Sequence, residues 1–316
     1  MFMSTLLLGI VIMLSSKTWF SVWLGLEINL LSFLPIILFS TPSGSEGGLK
    51  YFLIQALGSL LILQTSVSWP LAPSPHLFFT LPIILKLGAA PLHFWLPEVT
   101  KTLPWRANMI LLTLQKTGPL YLLASVSLTH KLPILIASVF STVVGSLGGL
   151  NELDLRKLMA FSSISHMGWM FVGMALTQTH WVLYFSTYII TSLTLITMLE
   201  KMNIFSLVQL SPAGKNGLLF MLLLLSLGGF PPLLGFAPKW AILLSSTGVS
   251  LPLSILLVVT STITLYYYIR AGLMTLTLNS ASFKVNLLAN NTQTLLILMN
   301  TVGGGLYMFM WSSLAL

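Results

Sequence analysis

Four ionisable side chains lie in otherwise apolar stretches of this sequence, where they could carry protons. Lys86 lies nine residues into such a stretch, Lys116 lies ten residues from either end of another, and Lys239 follows a Gly/Pro-rich interruption. Glu27 is the only acidic residue at comparable depth. A charge at the centre of a bilayer costs at least ~2.5–3.5 kcal/mol, so such residues usually face a polar interior and function there. We therefore predict a proton path through these four residues.

The choice of lysine favours proton transfer over anion binding. Burial disfavours the charged form of a lysine, so a buried lysine can gain and lose a proton, whereas arginine keeps its charge. The apolar stretches hold no arginine at mid-depth. His166 lies mid-span and could relay protons between lysines. No catalytic residue and no metal site is predicted.

Each of these residues also has an ordinary structural interpretation. A lysine near a helix end can extend its ammonium to the headgroups. Lys86 and Lys116 lie too deep for that, while the depth of Lys239 depends on the interruption before it. Glu27 could form a structural ion pair, and His166 could simply pack between helices. His93 and His166 could be haem ligands, although their contexts are unrelated.

Composition excludes a soluble protein. Of the 316 residues 6% are charged and 56% are hydrophobic, and the mean hydropathy is +0.95, against roughly 25% charged residues in soluble domains. The absence of cysteine excludes disulfides and iron–sulfur ligation by this chain. The net charge of +8 is scattered over many connections, which argues against a nucleic-acid surface.

A helix needs roughly 20 apolar residues to cross a bilayer. This length criterion predicts an all-α, polytopic transmembrane helix bundle with about eleven spans. The spans are 2–16, 18–40, 51–69, 77–95, 107–128, 132–150, 158–177, 180–200, 217–248, 251–270 and 293–314. The 272–292 connection is predicted to lie along the membrane surface.

The basic residues between the spans predict the orientation. With the N-terminus inside, nine of them fall on the inner face and only Lys17 and Lys131 fall outside, as the positive-inside rule requires. The inner nine are Lys50, Lys101, Arg106, Arg156, Lys157, Lys201, Lys215, Arg270 and Lys284.

Two segments have the composition of interrupted helices and match each other. Gly88 aligns with Gly228 and Pro91 with Pro231 at one offset. Paired Gly/Pro interruptions in two halves of a chain indicate a repeat-built transporter. Two unrelated proline kinks are the alternative.

Four motifs carry a resemblance to a known family. They are WLGLEIN at 23–29, KLGAAPLHFWLPEV at 86–99, LRKLMAFSSISHMG at 155–168 and LGGFPPLLGFAPKW at 227–240. Together they resemble the antiporter-like subunits of respiratory complex I, most closely a short animal mitochondrial form, over most of residues 19–270.

The resemblance implies a fold and roles for the site residues. It implies one transmembrane domain over 1–316, with two inverted five-helix repeats near 1–128 and 132–270, each with an interrupted helix, and a C-terminal helix at 293–314. It also implies that Glu27 pairs with Lys86, that Lys116 is the central relay, and that Lys239 leads toward the far half-channel.

The resemblance further implies a proton-translocating subunit of the complex I membrane arm, driven by electron transfer elsewhere. NADH, FMN, iron–sulfur clusters and ubiquinone are then expected in other subunits and no cofactor in this chain. The expected partners are other membrane-arm subunits and phospholipids, with no nucleic acid. The expected location is the mitochondrial inner membrane with the N-terminus in the matrix, a bacterial plasma membrane being the alternative. A stand-alone cation/proton antiporter subunit and a non-transporting scaffold are the competing functions.

Overall fold

The computed structural model describes residues 1–40, 44–68, 75–127, 131–177, 179–210, 217–277 and 300. These residues are almost entirely helical, and they divide into two compact units, 1–141 and 142–316, with the boundary inside one helix. A helix satisfies its backbone polar groups within one segment, which is why apolar chains of this kind fold as helices. The predicted all-α class is confirmed.

The first unit contains seven helices and the beginning of an eighth. They are α1 (Phe2–Ser15), α2 (Trp19–Leu38), α3 (Gly44–Ser68), α4 (Pro75–Leu87), α5 (Trp95–Thr102), α6 (Trp105–Leu112), α7 (Leu114–Ser127) and α8 (Leu132–Gly148).

The second unit is built around one deeply buried helix. Its helices are α9 (Leu155–Leu176), α10 (His180–Met202), α11 (Gly217–Gly228), α12 (Phe236–Thr247) and α13 (Leu251–Thr277), with a 3₁₀ turn at Leu207–Leu210. In the most apolar 18-residue stretch of α9, 94% is buried inside the protein, against 33% in the corresponding stretch of α13. Because α9 carries His166, that histidine lies in the interior of this unit.

The span predictions are largely confirmed. Each of the first ten predicted spans contains helix in the structure, and among the described residues six helices are long and apolar enough to cross a membrane. The eleventh, 293–314, lies outside the described residues except for Asn300, as do 278–292 of the predicted surface connection. The division into halves at 1–128 and 132–270, and the inversion of one half, remain predictions.

Two helices extend beyond the predicted spans, because the spans count apolar residues and a helix can continue through charged ones. Helix α3 begins at Gly44 rather than 51, and within it Lys50 forms ion pairs with Glu46 and Glu98 at 3.0 and 2.7 Å. Helix α13 continues beyond 270 to Thr277, and the Arg270 guanidinium donates to backbone carbonyls of the α8–α9 connection.

The first predicted interruption is confirmed, and its backbone is satisfied inside the protein. Helix α4 ends at Leu87, and the chain resumes as α5 at Trp95. The carbonyl of Leu85 accepts hydrogen bonds from the Gly88 amide at 3.1 Å and the Trp95 indole at 3.0 Å. Gly88 has φ +66°, a conformation that glycine adopts at little cost. The broken helix thus keeps its polar backbone away from lipid, as a membrane interior demands.

The second interruption is also confirmed, but the predicted alignment with the first is wrong by one residue. Gly229, not Gly228, has positive φ (+78°) and corresponds to Gly88. Helix α11 ends at Gly228 as α4 ends at Leu87, and α12 begins at Phe236 as α5 begins at Trp95. The doublets Gly228-Gly229 and Pro231-Pro232 permit two registers in sequence, and the structure selects the later one.

A third helix irregularity was not predicted. The span 107–128 consists of α6 and α7, which are separated at Thr113. The Thr113 hydroxyl donates to the Met109 carbonyl at 2.6 Å, and the Lys116 amide donates to the Thr113 carbonyl at 3.1 Å. A side-chain bond to the carbonyl one turn earlier competes with the regular helix. The irregularity therefore lies one turn before Lys116.

The register of the second interruption can be tested with two neighbouring glycines. Alanine at Gly229 would adopt the disfavoured left-handed conformation, at a cost of about 1–2 kcal/mol, and its Cβ would lie 2.8 Å from Cδ of Lys239. Alanine at Gly228 would make ordinary contact, with Tyr268 Cδ2 nearest at 3.4 Å. We expect Gly229→Ala to lower the thermal midpoint of the purified protein and Gly228→Ala to leave it nearly unchanged. If Gly228→Ala lowered the midpoint and Gly229→Ala did not, the alignment of Gly88 with Gly228 would be correct.

Candidate proton-transfer site

One face of α3 connects two of the predicted site residues. Gln55 and Ser59 lie four residues apart, so they share that face. The Gln55 amide donates to the Lys86 carbonyl at 3.1 Å, and the Ser59 hydroxyl donates to the Glu27 carboxylate. Gly58 lies between them, and a Cβ there would be 2.7 Å from Cγ of Lys86. The small residue therefore makes room for the lysine stem beside α3.

Glu27 and Lys86 lie close enough for their charges to interact. The Glu27 carboxylate acts electrostatically on the Lys86 ammonium, while its hydrogen bond comes from Ser59. The structure thus brings together the two residues that the family resemblance pairs.

Lys116 follows a glutamine that is hydrogen-bonded to two neighbouring helices. The neighbouring Gln115 donates to the Asn29 side-chain oxygen at 3.1 Å and accepts from the Tyr51 hydroxyl at 3.2 Å. Asn29 lies two residues after Glu27 on α2, and Tyr51 lies on α3. The same helices that hold Glu27 and Lys86 therefore also hold the start of α7.

A small polar cavity lies between Lys86 and Lys116. Both lysines line it, together with Tyr51, Gln55 and Gln115 among others. Its volume is about 10 Å³, which corresponds to about one water molecule. A single water that contacts both amines would suffice to pass a proton between them.

Lys239 occupies the second interruption. Its ammonium donates to the Gly228 carbonyl at 2.8 Å, so it binds the C-terminal end of α11 from the first turn of α12. The ammonium also lies 5.7 Å from the centre of the Trp169 ring, within the range of cation–π attraction. A helix C-terminus carries partial negative charge and attracts cations. Lys239 is thus held by the helix break itself, inside the protein.

His166 lies on α9 in the second unit. One of its ring nitrogens, Nδ1, is 2.7 Å from the Tyr184 hydroxyl, and its ring centre is 5.2 Å from that of Tyr188. Imidazole and phenol can each donate or accept. His166 is therefore equipped to exchange a proton with a neighbour.

All four basic groups are buried, with exposed fractions of 6% for Lys86, 3% for Lys116, 6% for Lys239 and 6% for His166. The three lysines are thus enclosed by protein, and their depth in the membrane stays a prediction. Glu27, Lys86 and Lys116 belong to the first unit, and His166 and Lys239 to the second. Their roles as proton carriers remain predictions.

Sequence reasoning missed the polar residues that hold these groups. Gln55 and Ser59 do carry a signal, since two polar residues at helical spacing in an apolar span suggest an interior face. For Gln115 and Tyr184 the sequence gives no such signal, apart from their position next to or near a predicted site residue. Among the described residues, no group of three or more His, Asp and Glu could hold a metal ion.

The sequence profile of the family described as "NADH:quinone oxidoreductase/Mrp antiporter, TM" matches residues 16–72 and 64–264. NADH-ubiquinone oxidoreductase chain 2 of Locusta migratoria is 38% identical over 284 residues, covering 85% of this chain and 83% of that protein. The same subunit of Anopheles gambiae is 38% identical over 299 residues, covering 88% and 86%.

Solved structures agree with the sequence relatives. A chain in the structure of "Respiratory complex I from Thermus thermophilus with bound Aureothin" superposes with a TM-score of 0.76 at 26% identity, over 86% of this chain and 69% of that one. The profile match spans the residues that form the two interrupted helices. The chain belongs to the NADH:quinone oxidoreductase/Mrp antiporter family of transmembrane proteins.

Proposed function

We propose that this chain is a proton-translocating subunit of the membrane arm of an NADH:quinone oxidoreductase. The observation that carries the proposal is the row formed by the half-buried Glu27 and the buried Lys86 and Lys116, with a polar cavity between the two lysines, in a chain whose relatives are named as subunits of that enzyme. Proton transfer along the row needs groups that accept and release protons inside the membrane, and lysine and glutamate are such groups.

The proposal extends to cofactors, partners and location. Electron transfer takes place in other subunits, which hold NADH, FMN, iron–sulfur clusters and ubiquinone, and this chain holds none of them. Its partners are the other membrane-arm subunits and phospholipids. Its location is the mitochondrial inner membrane, as the named animal relatives suggest, with the N-terminus in the matrix.

The family profile also covers Mrp antiporters, so a stand-alone cation/proton antiporter is the second candidate. Purified chain in vesicles would then exchange Na⁺ for H⁺ without other subunits. A membrane scaffold is the third, and it makes the buried lysines dispensable.

Lys116→Met tests the central step. Methionine fills a similar volume but cannot be protonated, so we expect the complex to assemble while proton translocation through this subunit is lost. The measurement is the proton-to-electron ratio of vesicles that oxidise NADH. Lys116→Arg should fail as well, because guanidinium keeps its charge. Lys131→Met removes an exposed lysine and serves as the control. A normal ratio in Lys116→Met would mean that the residue is structural.

Glu27→Gln tests the acid. Glutamine keeps the size and can still accept the Ser59 hydrogen bond, but it removes the charge that acts on Lys86. We expect slower proton pumping with normal assembly. The matched control is Glu46→Gln, because Glu46 is exposed and its ion pair with Lys50 lies at the surface; surface pairs contribute little. If Glu27→Gln and Glu46→Gln both pump at the wild-type rate, Glu27 is not part of the mechanism.

Cysteine labelling tests the orientation. The chain has no native cysteine, and Asn151 and Lys131 are exposed at opposite ends of α8. An impermeant maleimide added from the matrix side should label Asn151→Cys and not Lys131→Cys. Labelling of both from one side, or of Lys131→Cys alone from the matrix, would overturn the proposed topology.

A further inference from the structure

The second unit contains four buried tyrosines that the proposed function does not use, and two of them, Tyr184 and Tyr188, contact His166. Tyr184, Tyr188, Tyr267 and Tyr268 are at most 3% exposed. A buried phenol hydroxyl usually has a polar partner, because leaving it alone costs free energy. Four such groups in one interior are more than apolar packing requires.

Tyr184 contacts His166 directly and lies next to the site of Lys239. Its hydroxyl is 2.7 Å from Nδ1 of His166. Its ring stacks on Trp169, with centres 6.4 Å apart and planes 13° apart. The Lys239 ammonium lies over that same Trp169 ring. One aromatic ring therefore separates Tyr184 from Lys239.

Tyr268 approaches Lys239 from α13. Its ring packs beside Gly228, where a Cβ would lie 3.4 Å from Tyr268 Cδ2. Gly228 is the residue whose carbonyl binds the Lys239 ammonium. Tyr268 also interacts electrostatically with Tyr184. Tyr268 thus lies beside the helix end that binds Lys239, and it interacts with the tyrosine that contacts His166.

The hydroxyls of this cluster face one another and a set of serines on α9. Tyr188 interacts with Ser163, Tyr267 with Ser165, and Tyr268 with Ser162 and Tyr267. Each phenol or serine hydroxyl can donate one proton and accept another, so neighbouring hydroxyls can exchange hydrogen-bond partners by rotation.

We propose that Tyr184 and Tyr268 are relay residues that carry a proton between Lys239 and His166. The inference rests on the proposed proton-translocating function and adds two residues to its path. A proton leaves the Lys239 ammonium for the Tyr268 hydroxyl, directly or through water, as that hydroxyl gives its own proton toward Tyr184. Tyr184 then gives its proton to Nδ1 of His166. Each phenol accepts one proton and releases one, so the positive charge moves from lysine to histidine and no phenolate forms.

Phenylalanine substitutions test the relay, since they remove only the hydroxyl and retain the ring contacts with Trp169 and Gly228. The experiment compares Tyr184→Phe, Tyr268→Phe, Lys116→Met and Lys239→Met in the assembled complex. The readouts are the proton-to-electron ratio of NADH oxidation and the ratio of rates in H₂O and D₂O. We expect both tyrosine variants to assemble and to lower the proton-to-electron ratio as far as Lys239→Met does. The isotope effect should rise in both, which a change in packing alone would not cause.

Tyr266→Phe is the matched control, because Tyr266 lies two residues before Tyr268 on α13 and is 60% exposed. It should match the wild type in both readouts. If Lys116→Met and Lys239→Met lose proton transfer while both tyrosine variants keep it, the relay is wrong and the proposed function stands. If Lys116→Met and Lys239→Met both pump normally, the proposed function fails and the relay fails with it. If Tyr184→Phe does not assemble, the readouts of Tyr268→Phe alone decide whether the relay is correct.

Discussion

The structure depends on helices that end inside the membrane. A helix that stops there leaves carbonyl groups without partners, and lipid cannot satisfy them. In α4 the carbonyls near the end are taken by the amides of Gly88 and Ala89 and by the Trp95 indole. In α11 the final carbonyl is taken by Lys239. The partial negative charge of a helix end is thus what makes a deep lysine tolerable in this chain.

The two interruptions share a backbone but not their charges. In the corrected register Lys239 corresponds to Glu98, and Lys86 corresponds to Leu227. Lys86 lies in the last turn of the helix before its break, whereas Lys239 reaches back from the helix after its break. The same backbone arrangement therefore places a lysine at a helix end in two different ways. The chemistry of each half is set by side chains that the repeated backbone leaves free to differ.

Much of this arrangement could be predicted from sequence, and the reasons for the exceptions are physical. Lys86 and Lys116 stand out because a charge in an apolar run has few explanations, and the confirmed interruptions have Gly/Pro signals. The break at Thr113 has none, since no Gly or Pro occurs from 105 to 117. The contacts of Ser59 with Glu27 and of Tyr184 with His166 depend on which helix faces meet. Local periodicity carries no information about that.

The size of the cavity between Lys86 and Lys116 has a consequence for ion selectivity. A metal ion such as Na⁺ crosses a protein either with part of its water shell or with several oxygen ligands in its place. A space of about 10 Å³ holds about one water molecule. A protonated Lys86 or Lys116 beside it would repel a metal cation. A proton needs neither a shell nor its own volume, because it moves by exchange along hydrogen bonds. On the proposed function, the tight packing of the first unit would therefore favour H⁺ over Na⁺ by size, without a dedicated filter.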